Sequence, residues 1–329
     1  MYKFFIITFL SGLLLFVTSF SFGTRAESKS SPTRAALPDM AMPVYKTKYV
    51  VILVIDGPRY TETFGDTSCS LIPHMGKEMV KEGVLFTNFR NNGSTTTSAG
   101  HTAITTGFYQ HISNGGKELP KRPNIFQYYL KSSNADKSKA WIIASKGKLE
   151  ILAGTRDKHW WNMYMPSTYC GPNGNASSYA GDPGTVEKAK EVITANHPHL
   201  MLINLLEVDT HGHGNDWEGY KTGLRRCDQH AYDIWNYIQA DPEMKDQTTL
   251  FITNDHGRHL DGHKNGFVNH GDKCEGCRHI SLLAMGPDFR KGKIVSREAE
   301  MIDITATISQ MMGFAMPTQK GHLLWDLFI

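Results

Sequence analysis

The sequence has little of several features that would assign it to particular classes of protein. Its 329 residues carry 35 Lys and Arg against 32 Asp and Glu, so neither sign of charge dominates. This balance argues against nucleic acid as the main partner. Beyond the N-terminal segment, no run is long and apolar enough to cross a membrane. The composition, with 40% hydrophobic residues, is that of a globular protein rather than a disordered, repetitive or collagen-like chain.

Cysteine is also scarce, with five residues in the whole chain: Cys69, Cys170, Cys227, Cys274 and Cys277. Only Cys274 and Cys277 are closely spaced, so no second pair exists to complete a four-thiolate metal site. In an oxidising compartment we expect one or two disulfides and at least one unpaired thiol. The sequence Cys274-Glu275-Gly276-Cys277 is either a local disulfide or half of a metal site, and we favour the disulfide.

The first 26 residues have the pattern of a secretory signal peptide. Lys3 supplies a positive charge, residues 4–22 are almost wholly apolar, and small residues precede the end of the segment. We therefore predict a secreted or periplasmic protein with a flexible leader at 27–42 and a net charge after cleavage of about +1. The alternative is an uncleaved membrane anchor, because the apolar run could nearly span a bilayer; without it we expect no membrane partner.

Short apolar runs alternate with helical patterns along the rest of the chain. Buried parallel strands are predicted at 49–55, 140–144, 200–208 and 249–253, with a similar run at 280–285 and a strand at 83–89. Helices are predicted at 73–82, 182–196, 220–238 and 303–312, the second capped by Asp182. This order predicts an α/β fold, with a mostly parallel central sheet and helices on both faces, in one domain over 43–329. An aromatic loop at 149–182 is either a lid over a site or a cover for the sheet edge.

Three of the predicted strands deliver an aspartate to their carboxyl ends: Asp56, Asp209 and Asp255. Histidines follow two of them, at His213 and His256. Each aspartate alone is typical of a turn or helix cap. Together they indicate a ligand site, because the carboxyl ends of the strands form the binding edge of an open α/β sheet. Carboxylate oxygen and imidazole nitrogen suit Zn²⁺ or Mn²⁺ better than Ca²⁺.

A stretch rich in Ser, Thr and Gly, residues 91–107, follows the predicted strand at 83–89 and begins a helix. Ser and Thr are the usual caps of helix N-termini. The same position also favours a bound anion or a nucleophile, because free backbone N–H groups and the helix dipole attract negative charge. The three aspartates favour the functional interpretation.

The ordered set of Asp56, the Thr-rich turn, Asp209-x-x-x-His213 and Asp255-His256-Gly257 resembles the alkaline phosphatase superfamily, closest to its nucleotide pyrophosphatase/phosphodiesterase and phosphonoacetate hydrolase branch. The resemblance covers nearly all of the chain after residue 49. It implies that Asp56, Asp255 and His256 hold one divalent metal, with Thr97 bound to it as nucleophile. Asp209 and His213 would hold a second metal; Zn²⁺ is expected for both, with Mn²⁺ as the alternative.

The third ligand of the second metal has two candidates under this resemblance. His270 precedes an apolar strand much as the last zinc histidine of alkaline phosphatases does. His322 lies near the C-terminus, where phosphodiesterases have this ligand. We favour His270. The remaining histidines, His211, His259, His263 and His279, are interpreted as loop or supporting residues.

The chemistry of such a site requires a metal, because a threonine hydroxyl is too weak an acid to be a nucleophile near neutral pH. A covalent phospho-threonine at Thr97 would form and then be hydrolysed. Backbone N–H groups at the helix start and the amide of Asn114 would bind the phosphoryl oxygens.

We therefore expect an exported hydrolase of small phosphorylated substrates, either diesters or small monoesters. Sulfate esters are not expected, because Thr97 is followed by Ser-Ala-Gly-His and not by the sulfatase motif. Lys146 and Lys148 resemble the lysine pair with which phosphonoacetate hydrolases bind a carboxylate, so a phosphonate hydrolase is the second hypothesis. Lysines at such a position are also often merely solvated. A non-catalytic metal-binding protein of the same fold is the third hypothesis.

Overall fold

The computed structural model of the protein describes residues 44–171, 179 and 181–329. The predicted signal peptide (1–26) and leader (27–42) lie outside these residues, as does part of the aromatic segment 149–182. Residues 44–329 form one compact unit. Within the described residues, the structure contains no helix whose length and apolar character would allow it to span a bilayer.

The structure is organised around one sheet. Its strands are β1 (Tyr49–Ile55), β2 (Gly83–Arg90), β3 (Ala140–Ala144), β4 (Ser167–Cys170), β5 (Leu200–Leu205), β6 (Thr248–Asn254), β7 (His279–Met285), β8 (Lys293–Val295) and β9 (Ala299–Glu300). Their spatial order is β4-β3-β5-β1-β6-β7-β2-β8, with β9 also paired to β2. Every pairing is parallel except the two made by β7, which is antiparallel to both β6 and β2.

Helices cover both faces of this sheet, as predicted. They are α1 (Thr97–Thr106), α2 (Ile125–Ser133), α3 (Asp182–Asn196), α4 (Glu207–His213), α5 (Trp217–Ala240), α6 (Glu275–Arg278) and α7 (Ile302–Met311). All seven residues of β1 are buried, and successive side chains point to opposite faces. Val50, Ile52 and Val54 pack in the core that includes α1, α2 and α7. Val51 and Leu53 pack in the core that includes α3 and α5. The continuous apolar run of β1 is therefore explained by burial on both faces.

Several predicted elements differ from the structure. The strand predicted at 200–208 ends at Leu205, and the chain then turns into α4, so Asp209 lies on a helix and not at a strand end. The run at 280–285 is a strand, but β7 is antiparallel. The segment predicted as a helix at 73–82 divides into a π-helical turn and a 3₁₀ turn.

The aromatic segment at 149–182 contains more regular structure than a loop. Its first residues belong to a 3₁₀ helix, Gly147–Ala153. Further along, β4 forms an edge strand of the sheet and pairs in parallel with β3. Trp160 packs against Tyr128 of α2, with ring centroids 4.5 Å apart. The described part therefore extends and covers the sheet edge, and a lid role for the segment stays a prediction.

Asp182 has a role that the capping prediction did not assign. Gly181 is the N-cap of α3, and Asp182 is already helical. Its buried carboxylate accepts hydrogen bonds from the backbone N–H groups of Leu206 (2.8 Å) and Glu207 (3.0 Å) and from the Ser145 hydroxyl (2.8 Å). Asp182 therefore links α3 to the turns that follow β3 and β5, and these turns carry side chains of the candidate site.

We expect Asp182→Ala to destabilise the protein by about 2–4 kcal/mol, because buried donors would lose a charged acceptor. The free energy of unfolding, measured by denaturant titration, checks this. Glu187→Ala is the matched control on the same helix, because it removes only an exposed ion pair with Lys190, worth about 0–1 kcal/mol. Equal stability of the two variants would contradict the role given to Asp182.

Candidate active site

The three aspartates predicted at the sheet edge come together around the carboxyl end of β1. Asp56 follows β1 directly and Asp255 follows β6, and the last residues of these strands, Ile55 and Asn254, are register partners. Ile55 also pairs with Leu205 at the end of β5, and α4 then carries Asp209 back towards β1. Parallel pairing therefore places three carboxylates at one edge although they are far apart in sequence.

The first predicted ligand group is completely buried. Asp56, Asp255 and His256 offer ligand atoms that lie within 4.8 Å of one another. His256 Nε2 is 3.5 Å from Asp56 Oδ1 and 3.4 Å from Asp255 Oδ2. All three of these atoms are buried without a hydrogen-bond partner. Buried acceptors in this arrangement fit a divalent cation, and their donor set suits Zn²⁺.

A second group of potential ligands lies beside the first and shares His256 with it; it contains two of the residues predicted for the second metal, Asp209 and His270. Asp209, His256 and His270 also offer ligand atoms within 4.8 Å of one another. The Nε2 atoms of His213 and His270 lie 3.4 and 3.6 Å from Asp209 Oδ1, and 3.1 Å from each other. Asp209 and His213 reach the same point because residues four apart share one face of α4.

The two candidates for the third ligand lie in different places. His270 stacks on His256, with ring centroids 3.7 Å apart, and its Nδ1 contacts the Thr95 carbonyl at 2.7 Å. His322 is exposed, and its backbone N–H donates to Asp303 at 2.7 Å. The geometry therefore favours His270 for this role.

Thr97 is the first residue of α1 and is buried. The N-cap residue, Thr96, makes no side-chain cap, so the capping interpretation of the Thr-rich turn does not hold there. The Ser98 N–H instead donates to Asn114 Oδ1 from a distant loop at 3.0 Å. At Gly100 a Cβ would lie 2.4 Å from the Asp255 carbonyl. This glycine therefore lets the start of α1 pack directly against the aspartates.

The two lysines predicted to bind substrate both lie at the site, but in different surroundings. Lys146 is buried, and its Nζ is 2.8 Å from Asp56 Oδ2, 2.5 Å from Asp209 Oδ2 and 3.2 Å from Thr97 Oγ1. Lys148 is partly exposed, and its Nζ donates to Asn114 Oδ1 at 3.1 Å. Lys146 therefore neutralises carboxylates, whereas Lys148 and Asn114 contact each other beside the first turn of α1.

The titration behaviour of the carboxylates follows from their crowding. Burial and the Asp255 carboxylate raise the pKa of Asp56. Burial also opposes ionisation of Asp209, but Lys146, His256, Arg258 and His270 together outweigh it and hold the pKa of Asp209 well below its usual range. Burial would lower the pKa of Lys146, but Asp56 and Asp209 raise it above its ordinary value. The carboxylates of Asp56 and Asp209 thus share the positive charge of Lys146, as expected for like charges in a site of low dielectric constant.

Burial keeps two of the predicted histidine ligands neutral. Burial lowers the pKa of His213. Burial, reinforced by the neighbouring His256, lowers the pKa of His270 to about 2. Because metals bind the neutral imidazole, both side chains are in the ligating form at neutral pH.

Sequence reasoning did not assign three further residues that hold the site. His101 lies one turn after Thr97, with Nδ1 2.9 Å from the Thr97 carbonyl and 3.3 Å from Asp255 Oδ2. Its Nε2 contacts Asn204 Nδ2 at 3.1 Å. Arg258 is fully buried and donates to Asp209 Oδ1 at 2.5 Å. The spacing of Thr97 and His101 was a usable signal, whereas nothing in the sequence connects Arg258 with Asp209.

The structure supports the expectation for two of the remaining histidines and contradicts the one for the cysteines. His211 contacts Asp216 at 2.8 Å and His279 contacts the Thr87 carbonyl at 2.8 Å, so both are supporting residues. All five cysteines, each within the described residues, are free thiols, so the expected disulfide between Cys274 and Cys277 is not formed. The two thiols instead lie against His259 and Asp272.

Comparison with characterised proteins gives partial matches among curated sequences. A phosphopentomutase of Herpetosiphon aurantiacus is 27% identical over 144 residues, which are 44% of this chain and 33% of that protein. An arylsulfatase K of Gallus gallus is 25% identical over 178 residues, 50% of this chain and 33% of that protein. The matched region thus spans about a third of the length of these relatives.

Solved structures show the same fold over most of the chain. The alkaline phosphatase PafA aligns with a TM-score of 0.66 at 14% identity, covering 88% of this chain and 100% of that one. A phosphonate monoester hydrolase of Agrobacterium radiobacter aligns with a TM-score of 0.58 at 13% identity, covering 85% and 77%. These similarities confirm the predicted α/β fold with an alkaline-phosphatase-like sheet.

The family model described as type I phosphodiesterase / nucleotide pyrophosphatase matches residues 50–260, more than half of the chain. The matched region includes Asp56, Thr97, Asp209 and the Asp255-His256 pair. The resemblance stated from the sequence motifs is therefore confirmed. The chain belongs to the type I phosphodiesterase / nucleotide pyrophosphatase family, within the alkaline phosphatase superfamily.

Proposed function

We propose that this chain is a two-metal hydrolase of phosphate esters in which Thr97 is the nucleophile, and that it prefers monoesters to diesters. One observation carries the proposal: two groups of metal-binding side chains, which share His256, lie beside the helix that begins with Thr97. The family membership supports a phosphoric ester as the substrate class.

The proposed metal ligands combine the members of these two groups with Thr97 and His213. Asp56, Asp255, His256 and Thr97 would hold one ion, and Asp209, His213 and His270 the other. Zn²⁺ is proposed for both, with Mn²⁺ as the alternative, because the donors are carboxylate oxygens and imidazole nitrogens. Such ions lower the pKa of a bound hydroxyl and neutralise charge on the phosphoryl group.

The residues of the chain would then act as follows. The Thr97 hydroxyl gives its proton to solvent and attacks phosphorus as the bond from phosphorus to the ester oxygen breaks, and the leaving alkoxide takes a proton from solvent. Water then hydrolyses the phospho-threonine, which releases the phosphate product and restores Thr97. Backbone N–H groups in the first turn of α1 and the amide of Asn114 bind the phosphoryl oxygens, where the helix dipole also favours negative charge. The hydrogen bond that the Ser98 N–H donates to Asn114 Oδ1, at 3.0 Å, supports this role for Asn114.

The two lysines support a preference for monoesters. Metal ions between the carboxylates would supply the positive charge that Lys146 gives to Asp56 and Asp209. Lys146, whose Nζ is 3.2 Å from the Thr97 hydroxyl, would then be free to bind the substrate. A monoester dianion carries one more negative charge than a diester and therefore gains more from Lys146 and Lys148.

The same lysines support the second candidate, a phosphonate hydrolase, because a carboxylate next to the phosphorus would also pair with Lys148. The proposal of export is independent of both. It rests on the signal-like segment at residues 1–26, and N-terminal sequencing of the mature protein would test it.

Thr97→Ala is expected to lower kcat for the best substrate by about 10³-fold or more, since the nucleophile is removed. Thr97→Ser keeps the hydroxyl and should stay within about tenfold of the parent protein. Thr96→Ala is the matched control, because the Thr96 side chain makes no cap, and it should retain full activity. Intact turnover by Thr97→Ala, with metal content unchanged, would rule out Thr97 as nucleophile.

His270→Ala should lose roughly one metal ion per chain, whereas His322→Ala should keep the metal content of the parent protein, because only His270 contacts Asp209. Elemental analysis after dialysis measures the difference. Loss of metal from His322→Ala alone would mean that the C-terminal histidine is the ligand. No bound metal in the parent protein, even after loading with Zn²⁺ or Mn²⁺, would contradict the two-metal proposal itself.

Substrate preference is tested with p-nitrophenyl phosphate, bis-p-nitrophenyl phosphate and phosphonoacetate on metal-loaded protein. We expect the monoester to have the highest kcat/KM, and Lys148→Ala to lower it by about 10- to 100-fold, with a smaller loss for the diester. Lys245→Ala, an exposed lysine elsewhere on the surface, is the charge-matched control. An equal loss for monoester and diester would refute the charge argument, and faster turnover of phosphonoacetate would favour the phosphonate hypothesis.

A further inference from the structure

A second cluster of metal-binding side chains lies outside the proposed catalytic groups. His259 Nε2, a carboxylate oxygen of Asp272 and the Sγ atoms of Cys274 and Cys277 all lie within 4.8 Å of one another. The four residues belong to the segment between β6 and β7, and none of them is a predicted catalytic ligand. Two sulfur atoms, one imidazole and one carboxylate form a donor set typical of tetrahedral zinc.

The histidine of this cluster is buried and points its free nitrogen at the other donors. His259 is 3% exposed, and its Nε2 has no hydrogen-bond partner although it lies 3.2 Å from Asp272 Oδ2. The other ring nitrogen, Nδ1, is 3.3 Å from Asn265 Oδ1. That contact favours a proton on Nδ1, which leaves the lone pair of Nε2 directed into the cluster, as in metal-bound histidines.

The backbone holds the two thiols against this histidine. The Gly257 N–H donates to the Cys277 carbonyl at 2.9 Å. At Gly276, between the cysteines, a Cβ would lie 2.3 Å from the Arg258 carbonyl. The Cys274 N–H donates to Asp272 Oδ1 at 2.9 Å. The Cys-x-x-Cys turn is therefore packed on the chain just before His259, and glycine is required for the approach.

A lysine and a further histidine lie on the exposed side of the cluster. Lys264 Nζ is 2.6 Å and His263 Nε2 is 3.0 Å from Asp272 Oδ2, and both side chains are about half exposed. Two thiolates and a carboxylate exceed the charge of a divalent ion by one, and Lys264 would balance that excess. The inner donors, His259 and Cys277, are buried.

We propose that His259, Asp272, Cys274 and Cys277 bind a structural Zn²⁺ ion, separate from the catalytic metals. Binding would displace the protons of the two thiols, which leave to solvent, while the imidazole binds in its neutral form. With four protein ligands the site is closed, as structural zinc sites are, and has no open position for a substrate.

The position of this site gives it a role in the catalytic centre. Asp272 lies two residues after His270, and its carbonyl accepts a hydrogen bond from Thr95 Oγ1 at 2.7 Å. A zinc ion at Asp272 would therefore fix the segment that delivers His270 next to Asp209. The inference stands on the cluster itself and does not depend on the proposed hydrolase activity.

The test uses the full-length protein with Co²⁺ as the probe. Cobalt bound by thiolates gives intense near-ultraviolet charge-transfer absorption, and none of the proposed catalytic ligands is a cysteine, so this signal reports only the new site. We expect it in the parent protein and in the Cys69→Ser control. It should be absent from the Cys274→Ser/Cys277→Ser variant and weakened in His259→Gln, which keeps a side chain of similar size.

Zinc analysis and intact mass complete the experiment. The double serine variant should hold roughly one zinc ion fewer per chain than the control and unfold at a lower temperature. The proposal is overturned if the parent protein shows no thiolate–cobalt absorption. It is equally overturned if the parent mass is lower by the two hydrogen atoms that a Cys274–Cys277 disulfide removes. If the parent protein shows the thiolate–cobalt absorption but does not hydrolyse phosphate esters, the proposed function is contradicted and the zinc site is not.

Discussion

The main electrostatic constraint on the structure is the repulsion among three buried carboxylates, which nearby cations must offset. Asp56, Asp209 and Asp255 are each at most 4% exposed, and parallel pairing of the strands brings them to the end of β1. Negative charges at such distances in a protein interior are stable only with cations among them. Lys146 and Arg258 supply part of this charge, through contacts of 2.5 Å with Asp209. Orphaned acceptor atoms of Asp56 and Asp255 remain.

The scaffold tolerates this concentration of charge because each part of it is fixed by buried neighbours. Asp182 joins α3 to the turn after β5, so the helix carrying Asp209 begins at a defined point. Gly100 allows α1 to lie on the Asp255 backbone, and His101 links that helix to the Asp255 carboxylate. Charged side chains held in place in this way do not have to reorganise when a ligand binds, and such preorganisation is the main source of electrostatic catalysis.

Much of this arrangement could be predicted from the sequence, because the strongest signals are local. The apolar runs of β1 and β6 predict the fold. The aspartates that follow them, Asp56 and Asp255, are two of the three carboxylates in the cluster. Asp209 illustrates the limit: its apolar run continues through Val208, but the chain leaves the sheet at Leu205 and places Asp209 on α4. Asp209 and His213 share a face in both cases, because residues four apart lie on the same side of a strand and of a helix.

Features that depend on tertiary contacts could not be predicted in the same way. The direction of β7 is set by its pairing with β6 and β2, and its apolar sequence fits either direction. Arg258 reaches Asp209 across the sheet edge, and no pattern in the chain records that contact. The sequence has no second closely spaced cysteine pair beside Cys274 and Cys277, so it favours a disulfide over a metal site. Only folding of the segment between β6 and β7 brings His259 and Asp272 to the thiols.

The unequal surroundings of the two lysines connect the charge of the site to its selectivity. As long as Lys146 is held between Asp56 and Asp209, its charge is already paired, whereas Lys148 and the α1 N-terminus still offer positive charge to an anion. Cations bound at the carboxylates would repel the Lys146 ammonium and remove its partners, which turns it towards Thr97. In the proposed mechanism, metal binding and phosphate binding would be coupled through one side chain, because each would make the position of Lys146 favourable for the other. A substrate with fewer negative charges would gain less from this coupling, so the carboxylate cluster itself contributes to the choice of substrate.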